Sequence, residues 1–322
     1  MQGRPASGEP PQGHLVNAGT QTTLSRKGIF KRFPWLKERH LPMVISTDID
    51  GLLSAAFLHH CLEWHVEGYY DCTTLWLSPD GVEHRDRLLW IDLDVCRPEC
   101  RCLGHHILTV SEGIPPGLAH SCNPNLLAGI GADNFSAKYP YSTLLFLLWL
   151  HEQKPRRDLI ARLLLLQADS AWINYQNYHE NCQSWLERLP DYEWPWLFQN
   201  VDSERFDRLM SDQLYPKLAK LGAVPTAAST GSKYLGLKGR QLFFNPDWDE
   251  DIIIGVYGLA GTYLKWSPPH LPRITRRREG QRVRAALDSV GKSDFPGELI
   301  KEGVFSYAIT GVNTLNFTRL DW

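Results

Sequence analysis

Two short apolar runs that each end in acid constrain this chain more than any other feature of its sequence. Leu41 to Thr47 stops at Asp48-Ile49-Asp50-Gly51, and Leu88-Leu89-Trp90-Ile91 stops at Asp92, with Asp94 two residues on. Runs this short, rich in bulky apolar residues, read as strands buried on both faces, as in the middle of a parallel sheet. In an open sheet of that kind the strand ends meet along one edge, where ligands bind. Asp48, Asp50 and Asp92 are therefore expected to converge. Carboxylates one residue apart in a partly buried turn repel, and a divalent cation such as Mg²⁺ or Mn²⁺ relieves that repulsion. Taken alone, Asp-x-Asp-Gly is also an ordinary solvated turn, since turns favour Asp and Gly.

The neighbouring segments fit the same scheme. Leu52 to Leu62 reads as a helix, Thr73 to Leu77 as a further central strand, and His106 to Val110 as another. Pro115-Pro116-Gly117 and Asn123-Pro124 mark loops. Ser142 to His151 and Asp158 to Ala168 read as two largely buried helices. Asp251 to Leu259 and Val304 to Thr310 read as strands of a smaller terminal unit, with Gln281 to Val290 as a helix between them. The expected fold class is α/β: a parallel-sheet domain followed by helices and a smaller α+β C-terminal domain. Residues 1–28, rich in Gly, Pro, Gln, Ser and Thr and without the apolar core of a secretion signal, read as a disordered lead-in. The sheet domain is placed at 29–185. A connecting region interrupted by Pro190, Pro195, Pro216 and Pro225 follows at 186–240, and a small substrate- or partner-binding domain at 241–322.

A chain of 322 residues is long enough for two such units. No apolar run reaches the ~18 residues of a membrane span, so no membrane partner and a cytoplasmic location are expected. Seven cysteines, an odd number, do not suggest a disulfide framework. Cys96, Cys100 and Cys102, with His105 and Cys122 nearby, supply zinc-ligand types without the usual paired spacing; reduced loop cysteines are the plain alternative. With a net charge of only −2, a nucleic-acid partner would have to be met by a local basic patch. The one dense patch is Arg273, Arg276, Arg277, Arg278, Arg282 and Arg284, residue types suited to bidentate phosphate contact or, equally, to a solvated face.

His105-His106 follows Asp92 closely, and a further acid, Asp169, ends the apolar stretch Leu163 to Ala168, where an unpaired carboxylate is costly. The whole series, Ser46-Thr47-Asp48-Ile49-Asp50-Gly51 with Ser54-Ala55, then Asp92, Gly104-His105-His106, Asn123-Pro124 and Asp169, resembles the DHH phosphoesterase superfamily. That superfamily includes RecJ-like exonucleases, nano-RNases and cyclic-dinucleotide phosphodiesterases. The resemblance spans roughly residues 41 to 175 and implies a DHH-type domain holding two Mn²⁺ or Mg²⁺ ions that activate a water against a phosphodiester. By position it implies that Asp48 ligates one ion, that Asp50, His105 and Asp169 ligate the other, and that Asp92 bridges both. Asp94 is the alternative bridge. Asp92, His105 and His106 become the expected catalytic residues, with His106 at the substrate phosphate or in proton transfer. Arg276, Arg277, Arg278 and Asn313 become the expected substrate contacts.

Two positions depart from the pattern. Ser46 stands where the family has His or Asp, which implies a weaker first ion, and Gly104 stands where it has an Asp that would orient the histidines. The superfamily also contains inactive members that serve as subunits of replication helicase assemblies. Two functions therefore follow from the resemblance. One is a metal-dependent phosphodiesterase or nuclease acting on an oligonucleotide, single-stranded nucleic acid or nucleotide second messenger. The other is a catalytically weakened subunit that binds nucleic acid or a protein partner in a complex. Asp-Ile-Asp-Gly-Leu-Leu also fits a haloacid-dehalogenase-like phosphatase with Asp48 as nucleophile and Asp50 as acid, a reading that leaves the double histidine unexplained.

Overall fold

Every residue of β1 (Pro42–Ser46) and of β4 (Leu89–Ile91) is buried, and the two strands pair in parallel with Met43 opposite Leu89 and Ile45 opposite Ile91. The computed structural model describes residues 22–109, 114, 116–221, 243–287, 303–311 and 313–321. β2 (His65–Tyr70) lies parallel to β1 on its other side, while β5 (Arg101–Leu103) and β6 (Ser121–Cys122) continue the parallel set beyond β4. β3 (Thr74–Leu77) folds back antiparallel to β2, and β7 (Arg276–Glu279) pairs antiparallel with β3. The result is a mixed α/β structure around a seven-stranded, mostly parallel sheet of order β6-β5-β4-β1-β2-β3-β7. After β1 the chain moves to one side of the sheet, then returns to β4 on the other. That reversal opens a crevice beyond the carboxyl ends of β1 and β4.

Local chemistry fixes the principal helices. Asp48 caps the helix Ile49–Leu62 by accepting the Gly51 N–H at 3.0 Å, and Ser142 and Asp158 cap Thr143–Leu150 and Leu159–Gln167 in the same way. Thr143–Leu150 is buried on all sides, so its uniformly apolar sequence carries no amphipathic stripe. A second sheet, of order β8-β10-β9, is formed by β8 (Gln281–Ala286), β9 (Val304–Gly311) and β10 (Thr314–Arg319). It docks over the carboxyl edge of the main sheet: the Cys96 N–H donates to Phe305 O at 2.7 Å, and Tyr307 Oη donates to Leu108 O at 3.0 Å.

Several sequence expectations are corrected. The segment read as a strand at Asp251 to Leu259 is a helix, Glu250–Leu259, because Ile253, Val256, Tyr257 and Ala260 form one buried stripe at helical spacing. The segment read as a helix from Gln281 begins as β8, whose Val283 and Arg282 pair with Phe317 and Thr318; residues 288–290 lie outside the described set. His106 to Leu108 is loop and not strand, and Val110 is not described. Within the expected lead-in, residues 1–21 are not described, and Arg26–Arg32 is a helix capped by Ser25. The 186–240 stretch, read as a connector, contributes Trp194, Leu197, Phe206, Met210 and Leu214 to the main core, and the terminal stretch supplies β7 to the main sheet. Among the described residues no helix is long and apolar enough to cross a membrane.

His151, just past Thr143–Leu150, packs edge-on against Phe30 and Phe57 with ring centroids 5.4 and 5.8 Å away, and its buried Nε2 has no hydrogen-bond partner. Burial, helped by the charge of Lys37, pushes its pKa down to about 4. Between pH 6.5 and 4 the unfolded chain takes up a proton that the folded chain refuses, so stability falls as pH drops through that window. His151→Phe is expected to make the loss between pH 6.5 and 4.5, read by urea denaturation, smaller by roughly 2 kcal/mol. An unchanged loss would contradict the assignment.

Candidate metal centre

The site assembles from residues one or two positions past the strand ends. Asp48 is two residues beyond β1, Asp92 one beyond β4 and His105 two beyond β5, all on the edge that the parallel arrangement creates. Asp169 comes from the turn after Leu159–Gln167. Three backbones here are left-handed: Asp92 at φ +58°, Asp169 at +48° and Ser170 at +53°. Such conformations cost about 1 kcal/mol or more for residues with a Cβ. They persist because the surrounding contacts hold them.

Those contacts converge on Asp92. Its Oδ1 accepts a hydrogen bond from Thr143 Oγ1 at 2.8 Å and lies 3.5 Å from His105 Nδ1 and 3.4 Å from His106 Nε2; its Oδ2 accepts from Ser46 Oγ at 2.6 Å. His105 Nε2 pairs with Asp169 Oδ2 at 2.5 Å. One ligand atom each from Asp92, His105, His106 and Asp169 lies within 4.8 Å of all the others. Two carboxylates and two imidazoles at that spacing could hold a metal ion.

Charge in this space is strongly redistributed. Burial, then Asp92 and Asp169, raises Asp48 and Asp50 well above the usual carboxylate range. Asp92 goes the other way: burial opposes its charge, but His106, His105 and Ser46 together hold it well below that range. His106 is lowered by burial and raised more by the hydrogen bond and charge of Asp92, reaching about 9. His105 is lowered by burial and by the neighbouring His106. Positive charge beside Asp92 is thus favoured, whether a proton on His106 or a metal ion supplies it.

Ser46 acts differently from a weak ligand. Its Oγ lies 2.9 Å from Asp48 Oδ1 as well as 2.6 Å from Asp92 Oδ2. A hydroxyl has one proton to donate, and Asp92, held well below the usual carboxylate range, is the stronger acceptor of the two. Gly104 is required sterically, since a Cβ there would lie 2.7 Å from Asp94 Oδ2 and 2.9 Å from Leu93 O. Asp94 is not a bridge but a loop clamp. It accepts from Ser121 Oγ at 2.5 Å, Asn123 Nδ2 at 2.9 Å and, at 3.3 and 3.4 Å, the N–H groups of His106 and Ile107. The orienting carboxylate expected at Gly104 is supplied from the next strand end.

Asp50 departs most from expectation. Its carboxylate accepts the Thr143 and Leu144 N–H groups at 2.7 and 3.0 Å and lies 3.3 Å from Ser54 Oγ, so it caps the Thr143–Leu150 helix from a distant part of the chain. It belongs neither to the four-residue group nor to the cavity lining. An acid role for Asp50 beside a nucleophilic Asp48 has no geometric support. Among the described residues the cysteines join no group of metal-ligand types, and burial pushes the Cys96 and Cys100 thiols up to about 12.

A cavity of about 820 Å³ is lined by Asp48, Asp92, His105, His106 and Asp169 and, from the second sheet, by Ser306, Asn316 and Thr318. Arg276, Arg277, Arg278 and Asn313 are outside its lining. Arg277 pairs with Glu279 at 2.8 Å and Arg278 donates to Asp321 O at 2.7 Å, because β7 is an edge strand; Asn313 sits in the β9–β10 turn. The basic residues that do line the cavity are Lys138 and Arg282. Lys138, whose pKa is lowered by burial against the pull of Asp169 and Asp94, was invisible as an isolated lysine in a loop.

Comparison with known proteins returns no match among family models, curated proteins or solved structures. Asp50→Ala is expected to lower stability by roughly 2–4 kcal/mol in urea denaturation, since it orphans two buried helix N–H groups. Mn²⁺ stoichiometry by calorimetry should be unchanged. A variant of native stability that no longer takes up Mn²⁺ would make Asp50 a ligand after all.

Proposed function

We propose that this chain is a metal-dependent phosphodiesterase of the DHH type. The single observation that carries the reading is the convergence of Asp92, His105, His106 and Asp169, four residues far apart in sequence, within 4.8 Å at the sheet edge. Two imidazoles in the donor set favour Mn²⁺ over Mg²⁺. Asp48, which shares Ser46 with Asp92, is the natural contributor to a second and weaker ion. When bound, the metal would act as a Lewis acid on the phosphoryl oxygen and lower the pKa of a bound water.

The chain's own groups account for the remaining chemistry. Thr143 and Ser46 fix the two oxygens of Asp92, and Asp94 fixes the loop that presents both histidines. His106, with its side chain 39% exposed, is the member of the cluster open to the cavity and can exchange a proton with substrate. A cavity of about 820 Å³ falls in the ~300–1,000 Å³ range of small-ligand sites. That favours a short oligonucleotide or a nucleotide second messenger over a long single strand.

A second reading, a weakened subunit that binds nucleic acid or a protein partner within a complex, is favoured by one observation. Asp50 is engaged as a helix cap, which leaves the two-ion ligand set short of one acid. Turnover separates the two readings. Purified protein is expected to release nucleoside monophosphate from short oligonucleotides in Mn²⁺ and none in EDTA, with Asp169→Asn lowering the rate by at least ~100-fold. No hydrolysis of oligonucleotides or cyclic dinucleotides in Mn²⁺, with Mn²⁺ uptake intact, would leave the binding role.

A further inference from the structure

The arginine run at 273–284 is left unused by the cavity except for Arg282, and the fold sets it along an open edge. β7 is the last strand of the main sheet and β8 the last strand of the terminal sheet. Gly280 joins them: its N–H donates to Thr73 O at 2.7 Å, and a Cβ there would lie 2.7 Å from Arg319 O. Residues 276–286 therefore run as one extended strand along both sheets. Their partners β3 and β10 adjoin each other, since Thr318 Oγ1 of β10 donates to Cys72 O just before β3. Among the described residues no strand pairs with the outer side of β7 or β8. Such an edge turns alternate N–H and C=O groups outward, where a further strand can take them up.

The charge on this edge selects what can add to it. Arg276, Arg282 and Arg284 are exposed, and among the described residues none of them forms an ion pair or a hydrogen bond. Arg277 and Arg278 are by contrast engaged by Glu279, Asp247 and Asp321 O. A second copy of the chain, adding antiparallel through the same edge, would set arginine against arginine, and like charges directly opposite are unfavourable. A strand carrying Asp or Glu would instead gain charge-assisted contacts that the chain itself leaves unfilled. An apolar foothold lies alongside. Trp248 is 73% exposed, and Asp247 before it accepts from Trp76 Nε1 of β3 at 2.8 Å and lies 3.7 Å from Arg277 Nε of β7. Trp and Arg are the residue types enriched at the energetic centres of protein interfaces.

We propose that the β7–β8 edge binds a protein partner through an extended acidic segment, which adds as a strand outside residues 276–286 while Trp248 takes up an apolar residue of it. Main-chain hydrogen bonds supply the attachment and alternate side chains the selectivity, acids meeting Arg276, Arg282 and Arg284. Nucleic acid would satisfy the arginines but has no donors and acceptors at strand spacing, so the open ladder favours a polypeptide. The edge is separate from the metal cluster, and the inference stands whether or not the cluster hydrolyses a phosphodiester.

The test is fluorescence anisotropy of a labelled peptide of alternating Glu and Val, about ten residues long, titrated with the full-length protein. Saturable binding is expected. The double variant Arg276→Glu, Arg284→Glu is expected to weaken it at least ~10-fold, and Trp248→Ala at least ~5-fold. Thermal melts of these variants should match the wild type, because the replaced side chains hold no internal ion pair or hydrogen bond. The same peptide N-methylated throughout keeps its charge but loses the ladder, and should bind at least ~10-fold more weakly. No binding of the alternating peptide, equal binding of its N-methylated form, or unchanged affinity in the arginine variant overturns the proposal. So does an oligothymidylate of similar charge that binds more tightly than the peptide and loses that affinity in the arginine variant, which would make the edge a nucleic-acid surface.

Discussion

Asp92 has no solvent exposure, yet its carboxylate shares an enclosed space with those of Asp48, Asp50 and Asp169. Like charges at such range in a poorly solvated space oppose one another strongly. The structure answers this carboxylate by carboxylate. Asp50 is held by two amides at the start of Thr143–Leu150, where the helix dipole favours negative charge. Asp48 is displaced toward its protonated form, and Asp169 meets His105. Asp92 collects two hydroxyls and two imidazoles. Because these partners come from β1, the loop after β5 and the helix Thr143–Leu150, the neutralisation of one buried acid ties together distant parts of the main domain.

The same arrangement connects fold to chemistry. The switch between β1 and β4 creates the crevice; the terminal sheet, joined to the Val95–Cys96 segment and to Leu108, turns the crevice into a cavity. Its lining combines the acidic cluster with Lys138 and Arg282. A divalent ion in the cluster would make the whole interior attractive to a phosphate ester.

Much of the site was legible in the sequence because it depends on two short-range rules. Apolar runs of strand length mark buried parallel strands, and acids that follow them must lie on the sheet's carboxyl edge, which located Asp48 and Asp92; His105 and Asp169 were picked out by the order of motifs, the latter at the end of an apolar helix. Roles set by long-range contact were not legible. Nothing local tells that Asp50 reaches the amides of residues 93 and 94 positions later, or that Asp94 stands in for a carboxylate at Gly104. The Ile252-Ile253-Ile254 run favours strand by propensity, and its packing against Ile49–Leu62 overrides that preference. The arginines of β7 looked like a phosphate patch, but edge-strand pairing turned them to acids and carbonyls outside the cavity. Lys138 carries no pattern at all; only the folded chain brings it to the cluster.

The central claim is that four side chains hold a divalent cation. Anomalous diffraction from crystals grown in Mn²⁺ tests it most directly. The account predicts a manganese peak within ligand distance, roughly 2.0–2.3 Å, of Asp92, His105, His106 and Asp169. No peak at that position at saturating Mn²⁺, with the four side chains still in contact with one another, would contradict it.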